Sequence, residues 1–315
     1  MIQALPPIMS DQEFLKLATI MPDFLPEERE LEPHLRFHCV ERLSRYFDPI
    51  DKTLELQRII GVLLRQGYIA RNIIKPHYAQ RANQIYKAIQ NNDGKNLENY
   101  IKNTEDRKKI SASGMTILGP SGIGKTTNLI NILDCYPQVI AHPEYNVYQV
   151  VWIKIDCPHA GSLKGLCLDF FLELDRLLGT NYFKKFGSTR KTEDTMLAQM
   201  SQLAHTHHLG MLVIDEMQNL VKAKRKKDEL LNFLVKMDNI VQIPVIRVGT
   251  NQAKSILQDK FSIARRGTGK KGVLWDRMKQ EDEDEWDEWK FFVEGMWKYQ
   301  WTREYTVLTA IPSPK

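Results

Sequence analysis

Residues 119–126 read Gly119-Pro120-Ser121-Gly122-Ile123-Gly124-Lys125-Thr126, with Thr127 next, a complete G-x-x-x-x-G-K-[ST] stretch. A short apolar run precedes it, Met115-Thr116-Ile117-Leu118, and a helical pattern follows, Asn128-Leu129-Ile130-Asn131-Ile132-Leu133. Strand, glycine-rich turn and helix in that order are what phosphate binding by backbone requires. The glycines let successive N–H groups face one anion, and the helix N-terminus adds its partial positive charge. Lys125 is placed to reach the β- and γ-phosphates, and the Thr126 hydroxyl to take one position on Mg²⁺. The stretch implies that residues 119–127 bind a nucleoside triphosphate, ATP with Mg²⁺.

Outward from that loop, short apolar runs alternate with helical patterns, the signature of a parallel sheet covered by helices. Strands are expected at 115–118, 150–155, 211–214 and 245–248, each Val/Ile-rich and nearly all apolar, as strands buried on both faces should be. Helices are expected at 126–133, 163–178, 192–205 and 229–240.

The run Met211-Leu212-Val213-Ile214 ends in Asp215-Glu216. Alone, an apolar strand tipped with acids is a weak signal; downstream of a complete phosphate loop it is a strong one. Asp215 is expected to hold Mg²⁺ through a water, and Glu216 to polarise the water that attacks the γ-phosphate. The next strand ends in Thr250-Asn251. A polar side chain there reaches the γ-phosphate or the attacking water, as at the sensor position of AAA+ ATPases. Thr250 is the first choice and Asn251 the second, and either alternatively caps the helix that follows. Beyond them, Arg265 and Arg266 suit a finger reaching a neighbouring subunit's γ-phosphate, because guanidinium matches phosphate geometry and keeps its charge. Surface or DNA-contacting arginines are the alternative.

The 315 residues, 43% hydrophobic, allow one large domain or two moderate ones. No apolar run is long enough to span a membrane. The start, Met1-Ile2-Gln3-Ala4-Leu5-Pro6-Pro7, lacks the basic and apolar regions of a secretory signal. Cys39, Cys135, Cys157 and Cys167 have no C-x-x-C spacing and read as reduced core thiols, so a cytoplasmic protein with no membrane partner is expected. Residues 1–110 read as a mainly helical region, with Ser10 and Glu13 spaced as a capping box. Residues 111–275 form the nucleotide-binding core, and 276–315 a C-terminal helical segment. In that segment the tryptophans are spaced to pack a small helical layer, and the acidic run 281–288 has no assigned role. The net charge of +5 is unevenly spread, with basic clusters at 184–185, 190–191, 222–227, 265–266 and 270–271. Such clusters suit either a polyanion or an ordinary solvated surface.

Several segments carry a closer likeness. Val139-Ile140, then Val150-Val151-Trp152-Ile153-Lys154-Ile155-Asp156-Cys157, resemble TnsC, the AAA+ regulator of Tns-type transposition. So do Gly161-Ser162-Leu163-Lys164, Leu212-Val213-Ile214-Asp215-Glu216-Met217-Gln218 and Ala264-Arg265-Arg266-Gly267. The likeness extends back to Arg65-Gln66-Gly67-Tyr68-Ile69-Ala70-Arg71-Asn72 and covers roughly residues 40–300. The phosphate loop and acid pair are shared by very many ATPases; the other segments, in this order, are far more specific.

The resemblance implies an α/β fold, a P-loop AAA+ core preceded by a helical region and followed by a lid that is short or absent here. It implies a protein that assembles with ATP into rings or filaments on double-stranded DNA. There it links a TniQ/TnsD-like target selector, alone or with an RNA-guided complex, to the transposase. By the same resemblance Lys125, Thr126, Asp215 and Glu216 carry the nucleotide chemistry, and Arg265 or Arg266 completes a neighbour's site. DNA contacts come from Lys164, Lys184, Lys185, Arg190, Lys191 and Thr192, in segments that line the family's pore. They should go to phosphates, since a protein that polymerises along DNA cannot demand one sequence.

Two other functions compete. One is another DNA-acting AAA+ machine, a helicase loader or an initiator. The other is a P-loop kinase of a small molecule, which the Asp215-Glu216 pair disfavours because such kinases seldom use a water-activating glutamate.

Overall fold

A computed structural model of the chain describes residues 1–71, 114–188, 190–222, 227–254, 256–257 and 272–312. The chain divides into two compact units, one of Met1–Pro7 with Arg58–Trp275 and one of Ile8–Gln57 with Asp276–Lys315. Among the described residues, no helix is long and apolar enough to cross a membrane.

The first unit is built on short strands, of which the three central ones are buried along their whole length. They are β1 (Met115–Leu118), β4 (Trp152–Asp156), β5 (Met211–Asp215), β6 (Val245–Gly249) and β7 (Gly272–Leu274), in the order β4-β5-β6-β1-β7. Every pairing in that sheet is parallel. All residues of β1, β5 and β6 are buried. Helix α4 (Lys125–Asp134) follows β1. Helices α5 (Leu163–Leu178), α6 (Tyr182–Phe186) and α7 (Glu193–Thr206) lie between β4 and β5, and α8 (Asn219–Lys222) and α9 (Lys227–Val241) between β5 and β6. Phe170, Phe171 and Leu174 of α5, Met196 and Met200 of α7, and Leu234 and Met237 of α9 join Ile153, Ile155, Leu212 and Ile214 in one buried apolar cluster. Because every strand runs the same way, all C-terminal strand ends open on one edge, where open α/β sheets bind their ligands.

Two features differ from the sequence reading. The apolar run expected as one strand at 150–155 is two elements. Val147–Val150 is β3, the second arm of an antiparallel hairpin with β2 (Val139–His142), and β4 begins at Trp152. Between them the Val151 N–H donates to the Gln138 carbonyl at 2.9 Å, which turns the chain from hairpin to sheet without interrupting the apolar pattern. Strand β7 was not foreseen. Three residues behind a basic pair offer no periodicity, yet they add to the edge of β1 and place Trp275 so that its N–H donates to the Leu118 carbonyl at 2.7 Å.

The second unit is helical and aromatic. Helix α1 (Asp11–Ala18) starts at the capping box foreseen from Ser10 and Glu13, with the Glu13 N–H donating to Ser10 Oγ at 3.3 Å and the Ser10 N–H to Glu13 Oε2 at 2.7 Å. Helix α2 (Pro33–Val40) opens on a proline, whose missing N–H costs nothing there. The first residues of α3 (Asp51–Ala70) belong to this unit and the remainder to the other. Helix α10 (Glu283–Trp297) gives the acidic run a structural role. Asp282 accepts from the Glu285 N–H at 3.2 Å as its cap, and Glu283, Asp284 and Glu285 occupy the first turn, where the helix dipole favours negative charge. Lys52 pairs with Glu285 at 2.8 Å. Phe24, Tyr46, Phe292, Tyr299 and Trp301 meet mostly edge to face, and the Trp301 ring N–H donates to Glu28 at 2.7 Å.

Gly119 is where the fold bears directly on the phosphate loop. A Cβ on Gly119 would lie 1.9 Å from the Trp275 carbonyl oxygen, backbone against backbone, so the first loop position takes only glycine. Gly119→Ala is therefore expected to lower the midpoint of thermal unfolding by more than about 5 °C, read by circular dichroism. An unchanged midpoint would show that β7 does not pair with β1.

Candidate active site

The parallel sheet brings the ends of β1, β5 and β6 to one cleft of about 180 Å³, lined by Ser121, Gly122, Gly124, Lys125, Thr126, Thr127, Asp215, Glu216, Gln218, Gly249 and Thr250. The loop after β1 turns through two left-handed residues, Gly122 at φ 76° and Gly124 at φ 89°, a conformation costly for any residue with a Cβ. The turn is anchored to the sheet where the Gly119 N–H donates to the Gly249 carbonyl at 3.3 Å. It delivers Lys125 to the first position of α4. The Lys125 ammonium is buried and folds back over its own loop, donating to the carbonyls of Gly119 at 3.0 Å and Pro120 at 2.5 Å. Burial holds its pKa below the ordinary lysine range, opposed by the charges of Asp215 and Glu216. A desolvated cation folded over a glycine-rich loop at a helix N-terminus is an arrangement suited to an anion such as phosphate.

One residue further on, the Thr126 hydroxyl donates to Asp215 Oδ2 at 2.7 Å. The other carboxylate oxygen, Oδ1, accepts the Glu216 N–H at 2.7 Å. A hydroxyl and a buried carboxylate in contact at a helix N-terminus are a hard-oxygen donor pair of the type Mg²⁺ takes, and the residues present fit that ion. Lys154 of β4, quoted above only for its motif, was not foreseen as part of this site. Its ammonium lies 2.5 Å from Asp156 and 3.8 Å from Asp215, so a fixed cation stands beside the carboxylate that would hold the metal.

Glu216 leaves β5 with φ 56°, a left-handed conformation that residues other than glycine adopt at a cost. Its side chain is exposed at the mouth of the cleft. Opposite, at the tip of β6, Thr250 Oγ1 is buried and has no hydrogen-bond partner among the described residues. That hydroxyl is therefore free to hydrogen-bond to a group that enters the cleft. Asn251 begins a single 3₁₀ turn, Asn251–Ala253, and does not line the cleft. Gln218 does line it, beside Gly249. It appeared in the sequence only as the last residue of a motif, and no spacing rule assigns it a role. Arg265 and Arg266 lie outside the described residues.

The residues expected to meet DNA gather mostly near one turn. Lys184 and Lys185 are exposed on α6, Arg190 is exposed just before α7, and Lys164 lies in the first turn of α5. The ammonium groups of Lys185 and Lys191 each sit 5.2 Å from the centre of the Phe186 ring, and Lys191 also donates to the Lys185 carbonyl at 3.3 Å. Thr192 is the N-cap of α7, its hydroxyl accepting the Thr195 N–H at 3.2 Å, so that oxygen already has a structural task.

Residues 109–257 match the family model described as an AAA domain. The fold is the AAA+ P-loop fold. No curated protein matches the chain. Among solved structures the chain is similar to the ORC2 protein of Aeropyrum pernix, at 16% identity and a TM-score of 0.39 over 64% of this chain and 50% of that one. It is similar to the Aeropyrum pernix ORC1 protein, solved in complex with DNA, at 11% identity and a TM-score of 0.38, over 72% of this chain and 52% of that one. The Cdc6p protein of Pyrobaculum aerophilum gives 16% identity and a TM-score of 0.36, with the same coverage of 72% and 52%. This chain thus spans about half the length of the structures it resembles. At identities and scores this low, the likeness says nothing of what this chain binds.

Lys125→Ala is expected to weaken binding of a fluorescent ATP analogue by about 10- to 100-fold, the worth of a charge-assisted hydrogen bond to phosphate, with the circular dichroism spectrum unchanged. Parent affinity in a folded Lys125→Ala variant would place the phosphates elsewhere.

Proposed function

We propose that this chain is an ATP-hydrolysing AAA+ protein that assembles on duplex DNA, of the TnsC kind that its sequence resembles. The observation that carries the nucleotide half of this reading is the convergence of Lys125, Thr126, Asp215, Glu216 and Thr250 on one cleft, with the Thr250 hydroxyl buried and without a partner among the described residues. In that cleft the loop N–H groups and Lys125 hold the β- and γ-phosphates. Thr126 and Asp215 hold Mg²⁺, which when bound offsets the charge of the phosphate oxygens. Glu216 accepts the proton of the water that attacks the γ-phosphate, and Thr250 reports whether that phosphate is present.

Charge supports the DNA half. The unit that contains the cleft carries 32 Lys/Arg against 18 Asp/Glu, while the second unit carries 12 against 21. A surplus of 14 positive charges confined to one unit, with Lys184, Lys185 and Arg190 exposed on it, suits the phosphate backbone of nucleic acid. On this reading ATP binding drives self-assembly into rings or filaments, and Arg265 or Arg266 of one subunit reaches the nucleotide of the next. Hydrolysis resets the assembly. The ATP-bound assembly passes the choice of site from a target-selecting protein to a transposase.

Negative-stain imaging with duplex DNA checks the central claim: rings or filaments form with a slowly hydrolysed ATP analogue and not with ADP. Glu216→Gln is expected to assemble with ATP itself and to lose at least about 100-fold in turnover, the usual worth of a general base. Assembly indifferent to nucleotide, or phosphate release only in the presence of a small-molecule acceptor, would overturn the proposal.

Replacing Lys184 and Lys185 together by Glu tests the DNA contacts. DNA affinity at moderate salt is expected to fall by about tenfold or more, and the slope of log affinity against log salt to flatten by about two, with ATP affinity unchanged. An unaltered slope would place the DNA contacts elsewhere.

A further inference from the structure

Gln218 connects two parts of the cleft that the sequence treats as independent. The Thr250 N–H donates to Gln218 Oε1 at 3.0 Å, and the Gln218 amide nitrogen donates to Glu216 Oε2. The orientation of that amide is decided by chemistry. A backbone N–H only donates and an ionised carboxylate only accepts, so the carbonyl end must face Thr250 and the NH₂ end must face Glu216. Gln218 is buried, at 9% exposure, in a slot whose floor is Gly249; a Cβ there would lie 3.3 Å from Gln218 Oε1 and 3.2 Å from Met217 Cβ.

We infer that Gln218 is a positioning residue for ATP hydrolysis, which holds the Glu216 carboxylate in register with the tip of β6. Glu216 leaves its strand in the left-handed region, and its N–H is spent on Asp215 Oδ1. The Met217 N–H is spent on the Val248 carbonyl at 3.0 Å, so the main chain just after Glu216 is tied to the end of β6. What remains free is rotation of the Glu216 side chain, which is exposed. Gln218 removes that freedom by engaging Oε2. Oε1 accepts from no described residue and is the oxygen available to the attacking water. Because the far end of Gln218 is held by the Thr250 N–H, a shift of Thr250 toward a γ-phosphate is passed to Glu216 through two hydrogen bonds. This inference deepens the function proposed above and rests on Glu216 being the general base.

The experiment measures steady-state ATP hydrolysis by the full chain with duplex DNA, for the parent, Gln218→Glu, Gln218→Met and Glu216→Gln. Affinity for a slowly hydrolysed ATP analogue is measured beside it. Gln218→Glu keeps the shape and the acceptor for the Thr250 N–H, and sets one carboxylate against another. Gln218→Met keeps the bulk and loses both bonds. Both are expected to lower kcat by about tenfold or more, part of the worth of a positioned general base, with KM and analogue affinity within about twofold of the parent. A purely structural role predicts that Gln218→Glu, with its Thr250 bond intact, behaves like the parent. Near-parent kcat for Gln218→Glu, or a KM change as large as the kcat change, overturns the inference. If Gln218→Glu keeps the parent kcat while Glu216→Gln abolishes turnover, the general-base assignment stands and only the role of Gln218 fails. If Glu216→Gln turns over at the parent rate, the assignment of Glu216 falls and takes this inference with it.

Discussion

The hydrogen bond from the Thr126 hydroxyl to Asp215, 2.7 Å long, joins the phosphate loop to an acid 89 positions away in sequence. It forms because β1 and β5 run parallel with β6 between them, so their C-terminal ends reach the same edge of the sheet. An antiparallel arrangement of the same strands would put the loop at one edge and the acid at the other. Everything else in the cleft depends on that shared direction. It also requires strands buried on both faces, which explains why β1, β5 and β6 contain almost nothing polar until their last residues. Arg247 is the exception in β6; it is buried and paired with Asp238 of α9, and burial of the acid pushes its pKa up against the pull of that arginine.

Polar groups in and beside the cleft are held in chains rather than singly. Lys154 lies beside Asp156 and Asp215, Asp215 accepts from Thr126 and from the Glu216 N–H, Glu216 accepts from Gln218, and Gln218 accepts from Thr250. In a partly buried setting such a chain is rigid only if every member is satisfied. The Thr250 hydroxyl is the loose end. Among the described residues it is the member of this network left without a partner, and it faces the cleft.

The partition of charge has a simple physical meaning. A surplus of positive charge in the unit that holds the cleft raises the local concentration of any polyanion, while the acidic surplus of the other unit repels it. The sequence shows a chain of net charge +5, a number that hides two opposed surpluses. Part of the acidic surplus also has a local explanation, since the first turn of α10 and its cap are acidic and stabilise that helix.

Much of the core was legible. The phosphate loop, the acid pair after β5, the polar residue after β6 and the capping box at Ser10 all depend on local backbone geometry, and local geometry is written in residue type and spacing. Helix α5 runs over Leu163–Leu178, the bounds expected from its apolar period. The break at Val151 and the strand β7 were not legible, because a continuous apolar run hides a turn and three residues carry no period. Gln218 and Lys154 were missed for a different reason: their roles come from what faces them across the sheet. The sequence by itself determined which local elements the site is built from, since the loop, the acid pair and the strand tip each sit at a set distance along the chain from a turn or strand end. Tertiary structure alone decided which groups share the cleft, how charge divides between the units and why Gly119 must be glycine. Those are distances between residues far apart in sequence, fixed only once the strands have paired.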